Sequence, residues 1–319
     1  MITATRILLA LALALTAWLS VPAGAQAFKI GISDQKSGMW EDPRFEQLGI
    51  KQVRLLVSYD SVLEHNFWRY DAWMTAAAWR GADVLLTIDR HSRSTRRLPS
   101  LRQYRRTLRI LRKRYPWVKT MSAWNEANHP LQPTWRRPKR AARYYNIMRQ
   151  ECRGCRIVAA DVLDGPNMLP WLAKFKRYAR RPRIWGVHSY ADANYFRPYS
   201  RSATRQLLRA VKGEVWLTEA GGIVRFRRHW RGGKRGEARA ANAVEHTFAV
   251  ARSNRRIKRV YLYHWDADVK FTTWDSAFVA ANGRARPALD VLRREVNRQR
   301  KGRGPLLPKL PKYPKKPAA

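Results

Sequence analysis

Acidic residues are scarce in this 319-residue chain, which has 23 Asp and Glu against 64 Lys and Arg and a formal net charge of +41. A positive field of this size favours anionic partners, such as acidic glycans, cell-wall polymers, phospholipid surfaces or nucleic acid. The basic residues are spread over many helix-like stretches, where they alternate with apolar positions such as Leu101, Tyr104, Leu108 and Leu111. This distribution is typical of the solvated faces of outer helices, so we expect no specific nucleic-acid partner.

Long apolar runs are lacking apart from one near the N-terminus. Arg6 precedes an apolar run from Ile7 to Leu19, and small residues follow between Pro22 and Ala27. The run is too short to span a bilayer comfortably, and the small residues fit a signal-peptidase site. We interpret residues 1–27 as a signal peptide whose removal leaves no transmembrane anchor, with a retained anchor as the alternative. The protein is then expected to be secreted or associated with the cell envelope.

Only two cysteines are present, Cys152 and Cys155, and two residues separate them. A redox-active Cys-x-x-Cys pair requires a strand-to-helix setting in a thioredoxin-like unit, and a zinc site requires two further ligands. Neither context is found nearby. In an exported protein, a local disulfide between Cys152 and Cys155, in the turn between the fourth helix and the fifth strand, is the simpler interpretation.

No Gly-x-Gly-x-x-Gly follows the first predicted strand, which argues against a dinucleotide-binding fold. Instead, short β-rich runs alternate with stretches of helical periodicity. The predicted strands are Phe28–Ser33, Val53–Ser58, Val84–Ile88, Val118–Asn125, Ile157–Leu163, Ile184–Tyr190, Val215–Glu219 and Val260–Trp265. Eight such units predict an α/β fold, a single-domain (β/α)8 TIM barrel over residues 28–299, with an open doubly wound sheet as the alternative.

Residues 300–319 have no acidic residue and carry prolines at positions 305, 308, 311, 314 and 317, interleaved with lysines. Such a segment lacks the composition needed to bury a core, so we predict a basic, disordered and polyproline-like tail. It acts either as a solvated linker or as a tether to an anionic polymer of the cell envelope.

The candidate catalytic residues are the carboxylates at the C-terminal ends of the predicted strands, where barrels place their active sites. The fourth strand ends in Asn125 and Glu126 and the seventh in Glu219, whereas Glu214 lies at the opposite end of the seventh strand. Strands four and seven face each other across a barrel mouth, so Glu126 and Glu219 can flank a sugar ring. Hydrolysis of a glycosidic bond needs such a pair, one carboxyl to protonate the leaving oxygen and one to attack the anomeric carbon. This chemistry requires no metal and no cofactor.

These strand ends resemble those of glycoside hydrolase clan A, the cellulase-like superfamily of retaining (β/α)8-barrel glycosidases. In that clan an Asn-Glu after strand four supplies the acid/base and a Glu after strand seven the nucleophile; the matches here are AWNEANHP, with Glu126, and WLTEAGG, with Glu219. The resemblance covers nearly the whole chain after residue 27. Its further matches are Arg54 in VRLLVSYD, His188 and Tyr190 in GVHSY, and Trp265 in YLYHWD.

The resemblance implies substrate-binding or supporting roles around the two glutamates. Asn125 would hydrogen-bond the sugar 2-hydroxyl, and Arg54 would keep Glu219 ionised. The strand-six pair would add His188 to the site and steady the nucleophile oxygen through Tyr190. Trp265 would offer its aromatic face to a pyranose ring.

Two further expectations concern the acid/base and the third strand. The charge of Glu219 is expected to raise the pKa of Glu126, so that Glu126 starts the reaction protonated. The clan often carries a histidine near the end of strand three, and Asp89 or His91 takes that place in this sequence.

Two functions stay open from the sequence. The first is a secreted retaining glycoside hydrolase that cleaves β-glycosidic bonds of a poly- or oligosaccharide by double displacement. The alternative is a catalytically decayed barrel that binds a glycan or a cell-envelope polymer through its aromatic mouth and basic surface. The presence of both Glu126 and Glu219 favours the enzyme, with a carbohydrate as its substrate. The loops that select the glycan have no recognisable pattern.

Overall fold

A closed barrel of eight parallel strands forms the centre of the computed structural model, which describes residues 28–268 and 273–301. The barrel strands are β1 Lys29–Ser33, β2 Gln52–Ser58, β3 Asp83–Asp89, β4 Thr120–Ser122, β5 Arg156–Leu163, β6 Ile184–His188, β7 Glu214–Ala220 and β9 Ile257–Tyr263. Strand β9 closes the ring because it pairs with both β7 and β1. The predicted TIM barrel is confirmed, and the open doubly wound sheet is excluded.

Helices surround the barrel and connect its strands. They are α1 Pro43–Leu48, α2 Tyr59–Leu63, α3 Trp68–Trp79, α4 Leu101–Arg114, α5 Pro138–Glu151, α6 Met168–Lys176, α7 Tyr190–Asn194, α8 Ala203–Ala210, α9 Gly233–Arg252 and α10 Pro287–Arg300. Two short strands, β8 Arg225–Phe226 and β10 Trp274–Asp275, pair as an antiparallel ribbon beside the barrel. The alternation of strand and helix therefore follows the predicted order along the chain.

Local sequence signals set several helix ends. Ser100 and Gln103 form a capping box at the start of α4, where each side chain binds the other's backbone N–H. Asp42 caps α1 by accepting from the backbone N–H of Arg44, and Gly49 ends α1 with a φ of 58°. These caps fix where α1 and α4 begin and where α1 ends.

Three barrel strands end earlier than predicted. Strand β4 covers only Thr120–Ser122, although the backbone N–H of Asn125 still donates to the carbonyl of Ile88 on β3. Strand β6 ends at His188 because Tyr190 begins α7. Strand β9 ends at Tyr263, and the backbone N–H of Trp265 donates to the side chain of Asp34 instead of to a neighbouring strand. The chain therefore turns away from the barrel wall at its mouth.

The terminal predictions fall mostly outside the described residues. Residues 1–27 lie outside them, as do residues 302–319 of the predicted tail, whereas Arg300 belongs to α10. Within the part of the chain that the structure describes, no helix is long and apolar enough to cross a membrane. A disulfide joins Cys152 and Cys155 directly after α5, with the two Cα atoms 5.5 Å apart.

The barrel interior combines branched apolar side chains with a small buried polar layer near the mouth. Arg54, Thr87, Asp161 and Thr218 are completely buried there. Gly186 on β6 lies against this layer, because a Cβ at position 186 would meet Oδ1 of Asp161 at 1.9 Å. The absence of a side chain at position 186 therefore makes room for the buried carboxylate.

We expect Gly186→Ala to lower the free energy of unfolding by about 1–3 kcal/mol, because the added methyl group overpacks the barrel beside Asp161. Urea denaturation followed by circular dichroism measures the change. Gly165→Ala is the matched control, since a Cβ there meets only Oδ1 of Asn167 at 3.8 Å. Equal stability of the two variants would show that the barrel relaxes around the methyl group.

Candidate active site

The two candidate carboxylates lie together at the barrel mouth. Glu219 is on β7, and Glu126 lies in the turn after β4 with a φ of 41°, in the left-handed region that non-glycine residues seldom adopt. Nδ1 of His188 is 3.1 Å from Oε1 of Glu126 and 3.9 Å from Oε2 of Glu219. Because both distances meet at one nitrogen, these two oxygens are at most about 7 Å apart, a limit that includes the separation of retaining glycosidases.

Arg54 connects the residues of the site from below. Its side chain is completely buried on β2, and Nη1 donates to Oε2 of Glu219 at 2.6 Å. Nη2 donates to Oδ1 of Asn125 at 2.8 Å and lies 3.4 Å from Oδ2 of Asp161. Burial lowers the pKa of Arg54, but the charges of Glu219 and Asp161 outweigh this effect and raise it. The site is therefore built around a permanent buried cation.

Glu219 is held at both of its oxygens. Oε2 accepts from Arg54, and Oε1 accepts from the hydroxyl of Tyr190 at 2.9 Å. Its side chain remains 13% exposed, so the carboxylate faces the mouth while its hydrogen bonds come from the barrel. Tyr190 is itself buried and meets the ring of Trp274 edge to face, with centroids 5.0 Å apart. These contacts fix the orientation of the Glu219 carboxylate.

His188 is completely buried between the two carboxylates and the cation. Its Nε2 lies 3.3 Å from Nη2 of Arg54, and since arginine only donates, Nε2 is the acceptor there and the ring proton resides on Nδ1. Nδ1 then donates to Oε1 of Glu126. Burial lowers the pKa of His188, but the charge of Glu219 and the hydrogen bond to Glu126 raise it. The histidine therefore keeps a proton directed at Glu126.

The pKa of Glu126 differs from the sequence-based prediction. Burial raises it, but the hydrogen bond and charge of His188, together with His129 and Arg54, outweigh burial and lower the pKa below its ordinary value. The expectation that the pKa of Glu126 is raised is therefore wrong. The physical reason is that the hydrogen bond from His188 and the positive charge of Arg54 stabilise the ionised form of Glu126.

Trp265 does not have the position that the resemblance implies. Its ring is 0% exposed, Nε1 donates to Oδ2 of Asp42 at 3.0 Å, and the ring packs edge to face on Phe45. A ring without exposed surface cannot stack on a sugar. The prediction that Trp265 binds substrate is therefore wrong, and the residue anchors the loop after β9 to the first helix.

Tyr263 is the aromatic side chain that β9 brings to the mouth instead. It is half-buried at the end of the strand, and its ring stacks on His264 with centroids 4.6 Å apart. Burial raises the pKa of Tyr263, and the charges of Glu219 and Asp34 raise it further. The segment YLYHWD contains both Tyr263 and Trp265, and the sequence does not indicate which of the two rings lies at the barrel mouth. The end of β9 at Tyr263 decides between them.

Asp89 occupies the third-strand position beside the site. Its Oδ1 accepts from Nε2 of Gln132 at 3.0 Å and lies 3.4 Å from Nδ2 of Asn125. Burial raises the pKa of Asp89. His91, the other candidate from the sequence, instead lies 3.3 Å from the carboxylate of Asp60. Asp89 therefore supports Asn125, which Arg54 holds from its other side.

No cluster of three or more His, Cys, Asp or Glu side chains in the described ranges has an arrangement that could hold a metal ion. The polar groups of the mouth instead bind one another. They form a connected set of two carboxylates, one arginine, one histidine, one tyrosine and one asparagine. Such a set can carry acid, base and nucleophilic chemistry on a neutral substrate.

Comparison with solved structures identifies barrels of the same shape. No known family profile and no curated protein matches the sequence. Xylanase 10B from Thermotoga maritima superposes with a TM-score of 0.63 at 10% identity, covering 88% of this chain and 98% of that one. A GH5_18 protein from Streptomyces cattleya, solved with GlcNAc, has a TM-score of 0.60 at 18% identity, covering 88% and 82%.

A GH39 β-xylosidase from Caulobacter crescentus gives a TM-score of 0.59 at 13% identity, covering 84% of this chain and 70% of that one. All three identities are low, so the comparison concerns the fold. This chain has the (β/α)8-barrel fold of glycosidases from several families of clan A, in agreement with the resemblance read from its strand ends.

Proposed function

We propose that the protein is a retaining glycoside hydrolase in which Glu219 is the nucleophile and Glu126 the acid/base. The observation that carries the proposal is that two partly exposed carboxylates both approach Nδ1 of His188, with Oε1 of Glu126 and Oε2 of Glu219 at most about 7 Å apart. The support from Arg54 and Tyr190 falls on Glu219 alone. We assign the nucleophile to the carboxylate that these two hydrogen bonds hold in place, and the proton donor to Glu126.

The reaction has two steps. Glu219 attacks the anomeric carbon while Glu126 gives its proton to the leaving oxygen, and a covalent glycosyl-enzyme forms. Glu219 loses its charge in this step. Glu126, now ionised, removes a proton from water, which attacks the same carbon and releases the sugar with retained configuration. The charge-assisted hydrogen bond from Arg54 stabilises Glu219 both as the attacking carboxylate and as the leaving group.

The remaining residues bind and orient the sugar. Asn125 is held by Arg54 and Asp89, so its amide is presented to the 2-hydroxyl in one orientation. Hydrogen bonds to that hydroxyl strengthen in the transition state. Tyr263 offers an aromatic surface beside Glu219, in the role first expected of Trp265. His188 orients Glu126 through the hydrogen bond from its Nδ1.

The substrate is proposed to be a β-linked glycan outside the cytoplasm. The neighbours include xylanases, a β-xylosidase and GH5_18 proteins solved with Manβ1-4GlcNAc, so xylan and Manβ1-4GlcNAc belong in the first substrate panel. Secretion or attachment to the cell envelope, removal of residues 1–27 and tethering by residues 300–319 are part of the same proposal. Their support is the sequence composition of the two ends.

Replacing either carboxylate is expected to lower the turnover of an active aryl β-glycoside by about 100- to 10,000-fold or more. In Glu126→Ala, azide should restore turnover as a glycosyl azide of retained configuration, and in Glu219→Ala as one of inverted configuration. NMR of the product distinguishes the two anomers. The matched control is Glu214→Ala at the far end of β7, where Glu214 pairs with Arg156 and activity should persist.

Loss of activity without azide rescue in either variant would contradict the assigned roles. Absence of turnover on every glycan by the unaltered protein, with glycan binding retained, would support the decayed-barrel alternative instead.

The alkaline limb of the pH profile tests the contact between His188 and Glu126. Glu126 must be protonated for the first step, and His188 lowers its pKa, so kcat/KM should fall as pH rises through that lowered pKa. His188→Gln removes the Nδ1 donor and should move the alkaline limb to higher pH. His188→Asn, whose amide can donate from the Nδ1 position, should move it less. A limb that moves to lower pH in His188→Gln would contradict the assignment.

Substitution at the end of β9 separates binding from packing. Tyr263→Ala should lower kcat/KM by about tenfold through a higher KM, because it removes aromatic contact with the sugar, whereas Tyr263→Phe should keep most of it. Trp265→Phe should instead lower the free energy of unfolding by about 1–3 kcal/mol, because Asp42 loses a buried hydrogen-bond donor. Steady-state kinetics and thermal denaturation measure the two effects; an unchanged KM in Tyr263→Ala would contradict the role of Tyr263.

A further inference from the structure

A groove on the outer surface, between α5 and α6, has an unusual concentration of cations. Its volume is about 710 Å³, and its lining contains five arginines, two lysines and no acidic residue. Arg136, Arg137, Lys139, Arg140 and Arg143 belong to the α5 wall. Lys174 and Arg177 belong to the α6 wall. Two rows of positive charge therefore face one space.

The cations of this groove have no acidic partner among the described residues. Some basic side chains elsewhere on the surface are paired, as where Arg109 binds Glu151 at 2.9 Å and Arg156 binds Glu214 at 2.8 Å. In the groove, Arg143, Lys174 and Arg177 are exposed and no salt bridge reaches them in the residues that the structure describes. Their mutual repulsion is relieved when an anion lies between the two rows.

The aromatic residues of the groove position its charges. The guanidinium of Arg136 lies over the ring of Trp135 at 4.3 Å, and Nζ of Lys139 lies over the ring of Tyr178 at 5.0 Å. Each ring therefore already carries a cation on one face, which leaves less room for a stacked base. Cations held in fixed positions suit a ligand whose negative charges repeat at fixed positions along a chain.

The groove is continuous with the loop that carries Glu126. Its floor is Trp171, whose Nε1 donates to the carbonyl of Thr134, and the hydroxyl of Thr134 donates to the carbonyl of Ala127, the residue after Glu126. The side chain of Asn167 likewise donates to the carbonyl of Asn128 at 2.7 Å. The floor of the groove is thus joined by hydrogen bonds to the loop that carries Glu126.

We propose that this groove binds an acidic polysaccharide, a linear glycan with a carboxylate on its sugar rings. The arginines pair with carboxylates in a bidentate manner, and the rows on α5 and α6 contact successive sugars from two sides. The net charge of +41 contributes a long-range attraction, but the unpaired rows give the polymer a particular location. Binding at this site does not depend on turnover at Glu219.

The test measures binding of polygalacturonate to the mature protein carrying Glu219→Gln, by isothermal titration calorimetry at about 150 mM salt, where long-range attraction is largely screened. The groove variant combines Arg143→Gln, Lys174→Gln and Arg177→Gln. The control variant combines Arg102→Gln, Arg106→Gln and Arg294→Gln, which remove the same charge from exposed positions on α4 and α10. Circular dichroism verifies that both fold.

The expected result is that the groove variant weakens binding at least about tenfold, and the control variant at most about threefold. A neutral β-glucan should not bind in this way. Equal weakening in both variants would overturn the proposal in favour of a diffuse field, and absence of binding would overturn it outright. Double-stranded DNA bound more tightly than polygalacturonate, and lost in the groove variant, would reassign the groove to nucleic acid. Because Glu219→Gln abolishes turnover, each outcome is independent of the proposed catalysis.

Discussion

The buried guanidinium of Arg54 is the interaction on which the mouth of this barrel depends. A permanent cation inside a strand is costly unless its donors find acceptors, and the two terminal nitrogens of Arg54 find them in Glu219, Asn125, Asp161 and Ser33. These acceptors come from β1, β5 and β7 and from the turn after β4. One side chain thereby fixes the relative positions of four strand ends. The site is rigid because these hydrogen bonds must all be kept.

The same cation determines how the two glutamates differ. Arg54 binds Glu219 directly, whereas it reaches Glu126 through His188. Glu219 consequently receives hydrogen bonds from a guanidinium and from Tyr190, and Glu126 receives one from an imidazole. Two carboxylates at the same mouth acquire different environments in this way, as acid/base and nucleophilic roles require. The hydrogen bond and charge of His188, with the charge of Arg54, outweigh burial and lower the pKa of Glu126.

Away from the barrel mouth, positive charge is distributed unevenly over the surface, which the net charge alone does not show. Arg105 and Arg109 on α4 bind Glu151 on α5, and Arg114 pairs with Asp71 on α3. The groove between α5 and α6 lacks such partners. Because this groove adjoins the loop of Glu126, an excess of positive charge that is spread along the sequence becomes, in three dimensions, a defined surface beside the mouth.

The sequence by itself determined the barrel and most of the candidate site at its mouth. Alternating β-rich and helical periods repeat eight times, and strand ends in a parallel barrel meet on one face, so order along the chain was sufficient to bring Glu126, Glu219, Arg54, Asn125, His188 and Tyr190 together. Local signals also set helix starts, as in the capping box of Ser100 and Gln103.

Tertiary structure alone decided the remaining features, because they depend on contacts between residues distant in the sequence. Asp34 and Asp42 accept hydrogen bonds from the backbone and the ring of Trp265 and hold it in the core, so Tyr263 is the aromatic residue at the mouth. Asp89 accepts hydrogen bonds from Gln132 and Asn125, whereas His91 lies against the carboxylate of Asp60. The pKa of Glu126 likewise reflects His188, 62 positions away along the chain and 3.1 Å away in space. Periodicity fixes which strand a residue belongs to, but only packing fixes which of two neighbouring side chains faces the solvent.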